Sequence, residues 1–181
     1  MLLVVDNGSV YTNSLLDFLL HKKIVFNTIP FDKVILSELY KYSKIILSGR
    51  TKNIALTNAV NSKIIRHAVL EKIPLLGICY GAEIIALTLG GTIKKMDKLF
   101  NGIQEIEVIK PNPICENKIK VFESHSYFVS KLDTCFEQIA KSDYCQYEIF
   151  QYTNHKIFGT QFHPEMSDDG KILLEKFIAI Q

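Results

Sequence analysis

Short apolar runs alternate with amphipathic stretches through the first half of the chain and divide it into strands and helices. Leu2–Val5, Val25–Ile29 and Lys44–Leu47 read as strands, while Tyr11–Lys22 and a stretch near Asn58–Glu71 carry apolar positions at helical spacing. A further apolar run, Pro74–Ile78, leads into a helical stretch at Ala82–Leu89 that stops at Gly90-Gly91. From Thr92 to Phe158 the pattern breaks into short strands, with a turn at Pro111-Asn112-Pro113, and a last helix is predicted near Asp169–Ile180. This alternation predicts an α/β fold: a doubly wound, mostly parallel central sheet with flanking helices, and additional short strands in the second half. No repeat, low-complexity stretch or Gly/Ser linker interrupts the pattern, so residues 1–181 are expected to form one domain. Sites in such sheets lie beyond the carboxyl ends of the strands, which is where Asp6, Gly49 and Cys79 fall. Asp6 itself reads as a strand-end residue that caps the loop after it.

Composition narrows the function classes. Hydrophobic residues make up 48% of the chain, enough for a substantial core, yet no apolar run approaches the roughly 20 residues of a membrane span. Met1–Val5 has no basic residues before it and runs into Asp6, so it reads as a strand and not a signal peptide. A net charge of +2 is too balanced to argue for nucleic acid or an anionic membrane as partner. Cys79, Cys115, Cys135 and Cys145 show no paired metal-type spacing and suit a reducing, cytoplasmic setting; the last three read as core or incidental residues. His21, His67 and His155 have no companions at metal-ligand spacing, so no metal site is expected, and the cluster Lys94–Lys98 reads as a solvated face.

The chemistry gathers at two segments. In Gly77-Ile78-Cys79-Tyr80-Gly81, small residues bracket a nucleophile between a strand and a helix, the spacing of a sharp turn that leaves the side chain presented. A thiol at a helix N-terminus is favoured as thiolate, and the Tyr80 N–H would point toward an oxyanion formed at the sulfur. The second segment, Lys156–Glu165, is strand-like and ends in Phe162-His163-Pro164-Glu165. Residues i and i+2 of an extended segment share a face, so His163 and Glu165 are expected to turn toward one site. A Cys nucleophile, a His that takes its proton and a carboxylate that orients the His make a complete set for nucleophilic catalysis.

On these segments the chain resembles the class I, triad-type glutamine amidotransferases, in which a Gly-x-Cys-x-Gly elbow and a Phe-His-Pro-Glu run carry Cys79, His163 and Glu165 as the catalytic triad. The resemblance extends over nearly the whole chain, through Leu2–Ser9, Ile45–Gly49 and Gly90-Gly91. Within the family, Asp6-Asn7-Gly8, Ser124-His125 and Ser142–Gln146 are most similar to the stand-alone glutaminase subunits of GMP synthases. The resemblance implies hydrolysis of the L-glutamine side-chain amide through a glutamyl thioester, with no cofactor. No phosphate-binding loop is visible, so a separate ATP-dependent, GMP-synthetase-like subunit is implied as the user of the ammonia. It also implies that backbone near Ser126 and Tyr127 grips the α-amino and carboxylate groups of glutamine. A subunit of anthranilate or aminodeoxychorismate type, which shares a His-Ser pair here, stays an alternative. So do a Cys hydrolase of protease or deglycase type and a non-catalytic regulatory relative.

Three departures from the family pattern bear on this. Arg50 follows Gly49 where the family has a second glycine whose N–H is an oxyanion donor. A left-handed conformation there would cost Arg about 1–2 kcal/mol, and outright loss of the donor about 10²–10³ in turnover. Glu83 stands one turn after Cys79 where the family has Gln; an ionised Glu only accepts hydrogen bonds and opposes a thiolate. Tyr127 replaces an Asp of the GMP synthase version. Arg50 and Glu83 either form an ion pair that closes the pocket or are two unrelated surface substitutions.

Overall fold

The computed structural model describes residues 1–181. In chain order it holds β1 (Leu2–Asp6), α1 (Thr12–His21), β2 (Phe26–Pro30), β3 (Lys44–Leu47), α2 (Ala55–Leu70), β4 (Leu75–Ile78) and α3 (Tyr80–Thr88). There follow β5 (Thr92–Val108), β6 (Lys118–Lys131), β7 (Phe136–Lys141), β8 (Ile149–Tyr152), β9 (Ile157–Thr160) and α4 (Asp168–Ala179). The predicted elements are all present, with ends displaced by a helical turn or less. Between β2 and β3 the chain makes two 3-10 turns, Phe31–Lys33 and Leu36–Lys41, in place of a crossover helix.

All nine strands join one sheet in the order β2-β1-β3-β4-β9-β8-β7-β5-β6. The first five in that order are parallel to their neighbours, and the rest are antiparallel. Successive residues of a strand point to opposite faces, and the apolar runs use both. Leu2, Val4 and Ile46 face Leu15, Phe18 and Leu19 of α1 and Leu173, Leu174 and Phe177 of α4. Leu3, Val5, Ile45 and Leu47 face Ile64, Ile65 and Ala68 of α2 and Ile84 and Ile85 of α3. A strand buried on both faces must be apolar throughout, which is why β1 and β3 read as unbroken runs.

The second half holds strands as expected, but two of them are long. β5 and β6 form an antiparallel ribbon from Thr92↔Lys131 to Glu107↔Lys118, with register shifts at Thr92/Ile93 and Lys95/Phe100. Those irregularities and the exposed residues of β5 break the alternation that marks a long strand in sequence. The ribbon brings Glu123–Tyr127 of β6 over the end of β4.

The turn from β4 into α3 is where local strain is concentrated. Cys79 has φ +50° and ψ −104°, a left-sided conformation that non-glycine residues rarely adopt. A Cβ on Gly77 would lie 2.4 Å from the carbonyl carbon and oxygen of Gly81, and a Cβ on Gly81 would lie 2.4 Å from the Leu47 carbonyl oxygen. Neither obstacle is a flexible side chain, so both positions require glycine. The expected cost of Gly81→Ala is about 1–3 kcal/mol of overpacking, read as a lowered urea midpoint; an unchanged midpoint would contradict the close approach of α3 to β3.

Candidate active site

The elbow is held from both sides. The Cys79 N–H donates to the Thr160 carbonyl at 2.8 Å, tying the end of β4 to the end of β9, and the Glu83 N–H donates to the Cys79 carbonyl at 3.0 Å. The Tyr80 N–H favours the charged form of Sγ. Sγ itself lies 3.9 Å from the Ser124 carbonyl oxygen and makes no hydrogen bond to His163.

His163 and Glu165 lie just beyond β9. The His163 N–H donates to the Phe122 carbonyl at 2.8 Å, which pins the segment to β6. Nδ1 is 2.8 Å from Glu165 Oε1, and both side chains are almost wholly buried. The expected extended geometry does not hold here: Pro164–Met166 is a 3-10 turn, and it is this turn that folds the carboxylate back onto the imidazole. The ring is further enclosed by Tyr11, whose ring centroid lies 4.5 Å away. Gly49 leaves the opposite side open, since a Cβ there would come within 3.0 Å of His163 Cε1.

A cavity of about 310 Å³ opens beside the thiol, and Arg50, Cys79, Tyr80, Glu83, Ser126 and Tyr127 all line it. A larger groove of about 620 Å³ between α1 and α4 is lined mainly by charged and polar residues, reaches Glu165 from the side away from the elbow and does not include Cys79 in its lining. Six of the candidate site residues therefore share one cavity, and Ser124 and His125 line it with them. Gly49, His163 and Glu165 stand behind it, at the ends of the adjoining strands.

Arg50 and Glu83 both face the cavity, but they do not form the ion pair. The Arg50 guanidinium lies over the Tyr80 ring at 3.8 Å, and Nη1 donates to Asn58 Oδ1 at 2.7 Å. Tyr80 Oη donates to the same oxygen at 2.9 Å. Cation–π stacking and a shared acceptor thus satisfy Arg50 within its own wall. Its backbone is not left-handed, so the strain expected of a non-glycine residue does not arise. Glu83 is buried and accepts from Gln161 Nε2 at 3.5 Å. Neither is an isolated surface substitution.

Burial sets the electrostatics. It pushes the Cys79 thiol well above its usual range, the Glu83 carboxylate adds to that, and the Tyr80 N–H opposes it. Desolvation and the neighbouring carboxylate thus act against the thiolate that a helix N-terminus favours. Glu83 is itself raised by burial, against the Gln161 hydrogen bond.

Other parts of the site were not foreseen. Gln161 precedes His163 by two residues, a same-face spacing that could have singled it out. It accepts from the Val129 N–H (3.1 Å) and donates to the Tyr127 carbonyl (3.3 Å). The Asn7 side-chain amide donates to the Ser48 carbonyl at 2.9 Å, and its backbone N–H donates to Ser48 Oγ at 2.9 Å. Asn61 donates to Asn7 Oδ1 at 2.7 Å, locking the loop before Gly49. Asp6 caps its loop as expected, accepting from the Gly8 N–H and Thr12 Oγ1.

A family model for glutamine amidotransferase class-I matches residues 3–179. The chain belongs to that family. This class I glutamine amidotransferase is 35% identical to a glutamine-hydrolyzing GMP synthase subunit of Pyrococcus furiosus, over 99% of this chain and 98% of that one. It is 33% identical to the corresponding subunit of Methanocaldococcus jannaschii, over 99% and 97% of the two chains. A crystal structure from Thermoplasma acidophilum, assigned provisionally to a GMP synthase subunit, superposes with a TM-score of 0.87 at 29% identity, covering 98% of this amidotransferase and 91% of that chain.

The electrostatics of the amidotransferase site give a direct test. Glu83→Gln is expected to speed iodoacetamide alkylation of Cys79 several-fold at mildly alkaline pH, because it removes a charge that opposes thiolate formation. Equal rates would show that Glu83 exerts no such opposition.

Proposed function

We propose that this chain is a glutaminase subunit that hydrolyses the side-chain amide of L-glutamine and supplies ammonia to a separate ATP-dependent synthetase subunit of GMP-synthetase type. The observation that carries this reading is the strained Cys79 elbow, with the Tyr80 N–H at its sulfur, opening on one cavity with His163 and Glu165 at the adjoining strand end. Similarity along nearly the whole length to glutamine-hydrolyzing subunits of GMP synthases supports the choice of partner. Residues 1–181 act as one glutamine amidotransferase domain, and their four free cysteines suit the cytoplasm.

Glutamine enters the Cys79 cavity with its carboxamide at the elbow. Cys79 Sγ, its proton taken by His163, attacks the carboxamide carbon, and the Tyr80 N–H stabilises the oxyanion. His163 returns the proton to the leaving nitrogen, the C–N bond breaks and ammonia departs, leaving a glutamyl thioester. Water, deprotonated by the same imidazole, cleaves the C–S bond and releases glutamate. Glu165 holds the Nδ1–H tautomer and stabilises the imidazolium. The backbone of Gly49 and Arg50 supplies the facing wall, and Ser126 and Tyr127 hold the α-amino and carboxylate groups. Burial holds the Cys79 thiol protonated, so the proton that His163 removes is still on sulfur when glutamine binds.

Glutamate release is expected to be low for the protein on its own and to rise steeply with a GMP synthetase subunit loaded with ATP and XMP. Cys79→Ser removes the activity, and Glu165→Gln lowers it less than His163→Ala does, since the carboxylate acts only through the imidazole. Cys79-dependent activity indifferent to that partner would contradict the assignment of the synthetase. Activity that survives Cys79→Ser would contradict the mechanism.

A further inference from the structure

Behind the cavity wall lies a second buried cluster that the mechanism does not use. Glu123 and Glu148 are each 1% exposed, and both line one small interior cavity beside His125. Neither Glu123 oxygen has a well-directed donor from elsewhere in the protein, and neither has Glu148 Oε2. Glu148 Oε1 accepts from Ser142 Oγ at 2.6 Å. Two ionised carboxylates cannot sit together in a dry interior without a cation or a proton between them. The space they face has room for only one water-sized species, and no group of three or more metal-ligating side chains is present.

His125 continues the chain of contacts. Nε2 lies 2.9 Å from Glu123 Oε2, and Nδ1 lies 2.8 Å from the Tyr127 carbonyl oxygen. A carbonyl only accepts, so Nδ1 carries a hydrogen, which fixes the orientation of the imidazole. Gln161 donates to the same Tyr127 carbonyl and to Glu83 Oε1. The path from Glu148 through Glu123, His125, Tyr127 and Gln161 therefore ends at Glu83, in the wall beside Cys79.

We propose that Glu123 and Glu148 are positioning residues for the substrate cavity: they share one proton, and the singly charged pair orients His125 so that it fixes the Ser126–Tyr127 wall against Gln161 and Glu83. The proposal rests on reading the Cys79 cavity as the glutamine site. Burial supports it by pushing the Glu123 carboxyl up to about 7 and the Glu148 carboxyl well above the usual carboxylate range, where the Glu123 charge adds to the effect. The titratable groups facing Glu148 are Glu123 and His125 of β6 and Tyr144 and Cys145 of the loop before β8. Burial also raises the Cys145 thiol and keeps it neutral. The sign follows directly: a carboxyl held protonated in the folded protein keeps the wall in place at low and neutral pH and releases it as pH rises through its own titration.

The test is the pH dependence of KM and kcat for glutamine in wild type, Glu148→Gln and Glu148→Leu, free or with the synthetase, whichever state of the wild type releases glutamate. An amide at 148 donates to Glu123 and accepts from Ser142 as the protonated acid does, so Glu148→Gln is expected to keep the neutral-pH KM within about twofold. Glu148→Leu leaves Glu123 without its donor, and KM is expected to rise about tenfold with a smaller change in kcat. At alkaline pH the wild-type KM should climb above that of Glu148→Gln, which cannot lose this proton; the glutamine α-amino group titrates equally in both and cancels. Parallel KM profiles, or a Glu148→Gln variant as impaired as Glu148→Leu, would overturn the proposal. Infrared difference spectra separate this failure from failure of the glutaminase reading, because they need no turnover. A protonated-carboxyl C=O band present in wild type and missing in Glu148→Gln supports proton sharing even if glutamine proves not to be the substrate. Absence of that band in wild type overturns it.

Discussion

The close approach of α3 to the ends of β3 and β4 is the constraint on which the site depends. Gly77 and Gly81 let the two backbones meet within a distance that no Cβ allows. Cys79 is left to absorb the resulting turn with a positive φ. Strain of that kind costs about 1–3 kcal/mol and persists only because the surroundings over-determine it. Here those surroundings are the hydrogen bond to Thr160 on β9 and the helix that follows, buried from Tyr80 to Ala86. The same bond places β9 beside β4, so the segment carrying His163 and Glu165 arrives next to the elbow as a consequence of sheet pairing.

Around this scaffold the site is crowded with buried acids: Glu83, Glu123, Glu148 and Glu165. Each is compensated differently. Glu165 is matched to His163, Glu83 to the Gln161 amide, and Glu123 to His125 and Glu148. The net effect on the thiol is opposition to charge. Arg50 supplies the one guanidinium in the cavity wall, yet it is held by Tyr80 and Asn58 and not by any of these acids.

Much of this was legible in the residues. The doubly wound half follows from apolar runs that must be buried on both faces, and the elbow from glycines at fixed offsets around Cys79. The long ribbon of β5 and β6 was not legible, because its bulges and solvated face erase the period-two pattern. The His163–Glu165 contact was predicted for the wrong reason: the turn at Pro164, not an extended strand, brings the pair together. Charge complementarity suggested an Arg50–Glu83 bond, but a nearby aromatic ring and an Asn competed for the guanidinium, and only three-dimensional proximity reveals such competition. Glu123, Glu148 and Gln161 lie far apart in sequence and meet through strand pairing, which a single sequence does not display.

The central claim is that Cys79 acts as a nucleophile toward glutamine. Intact-mass spectrometry with peptide mapping, on protein mixed with glutamine and the synthetase and then acid-quenched, tests it most directly. The account predicts an adduct equal in mass to glutamine less ammonia, located on Cys79 and lost in Cys79→Ser. An enzyme that releases glutamate under the same conditions while Cys79 stays unmodified at every quench time, or an adduct on another residue, would contradict it.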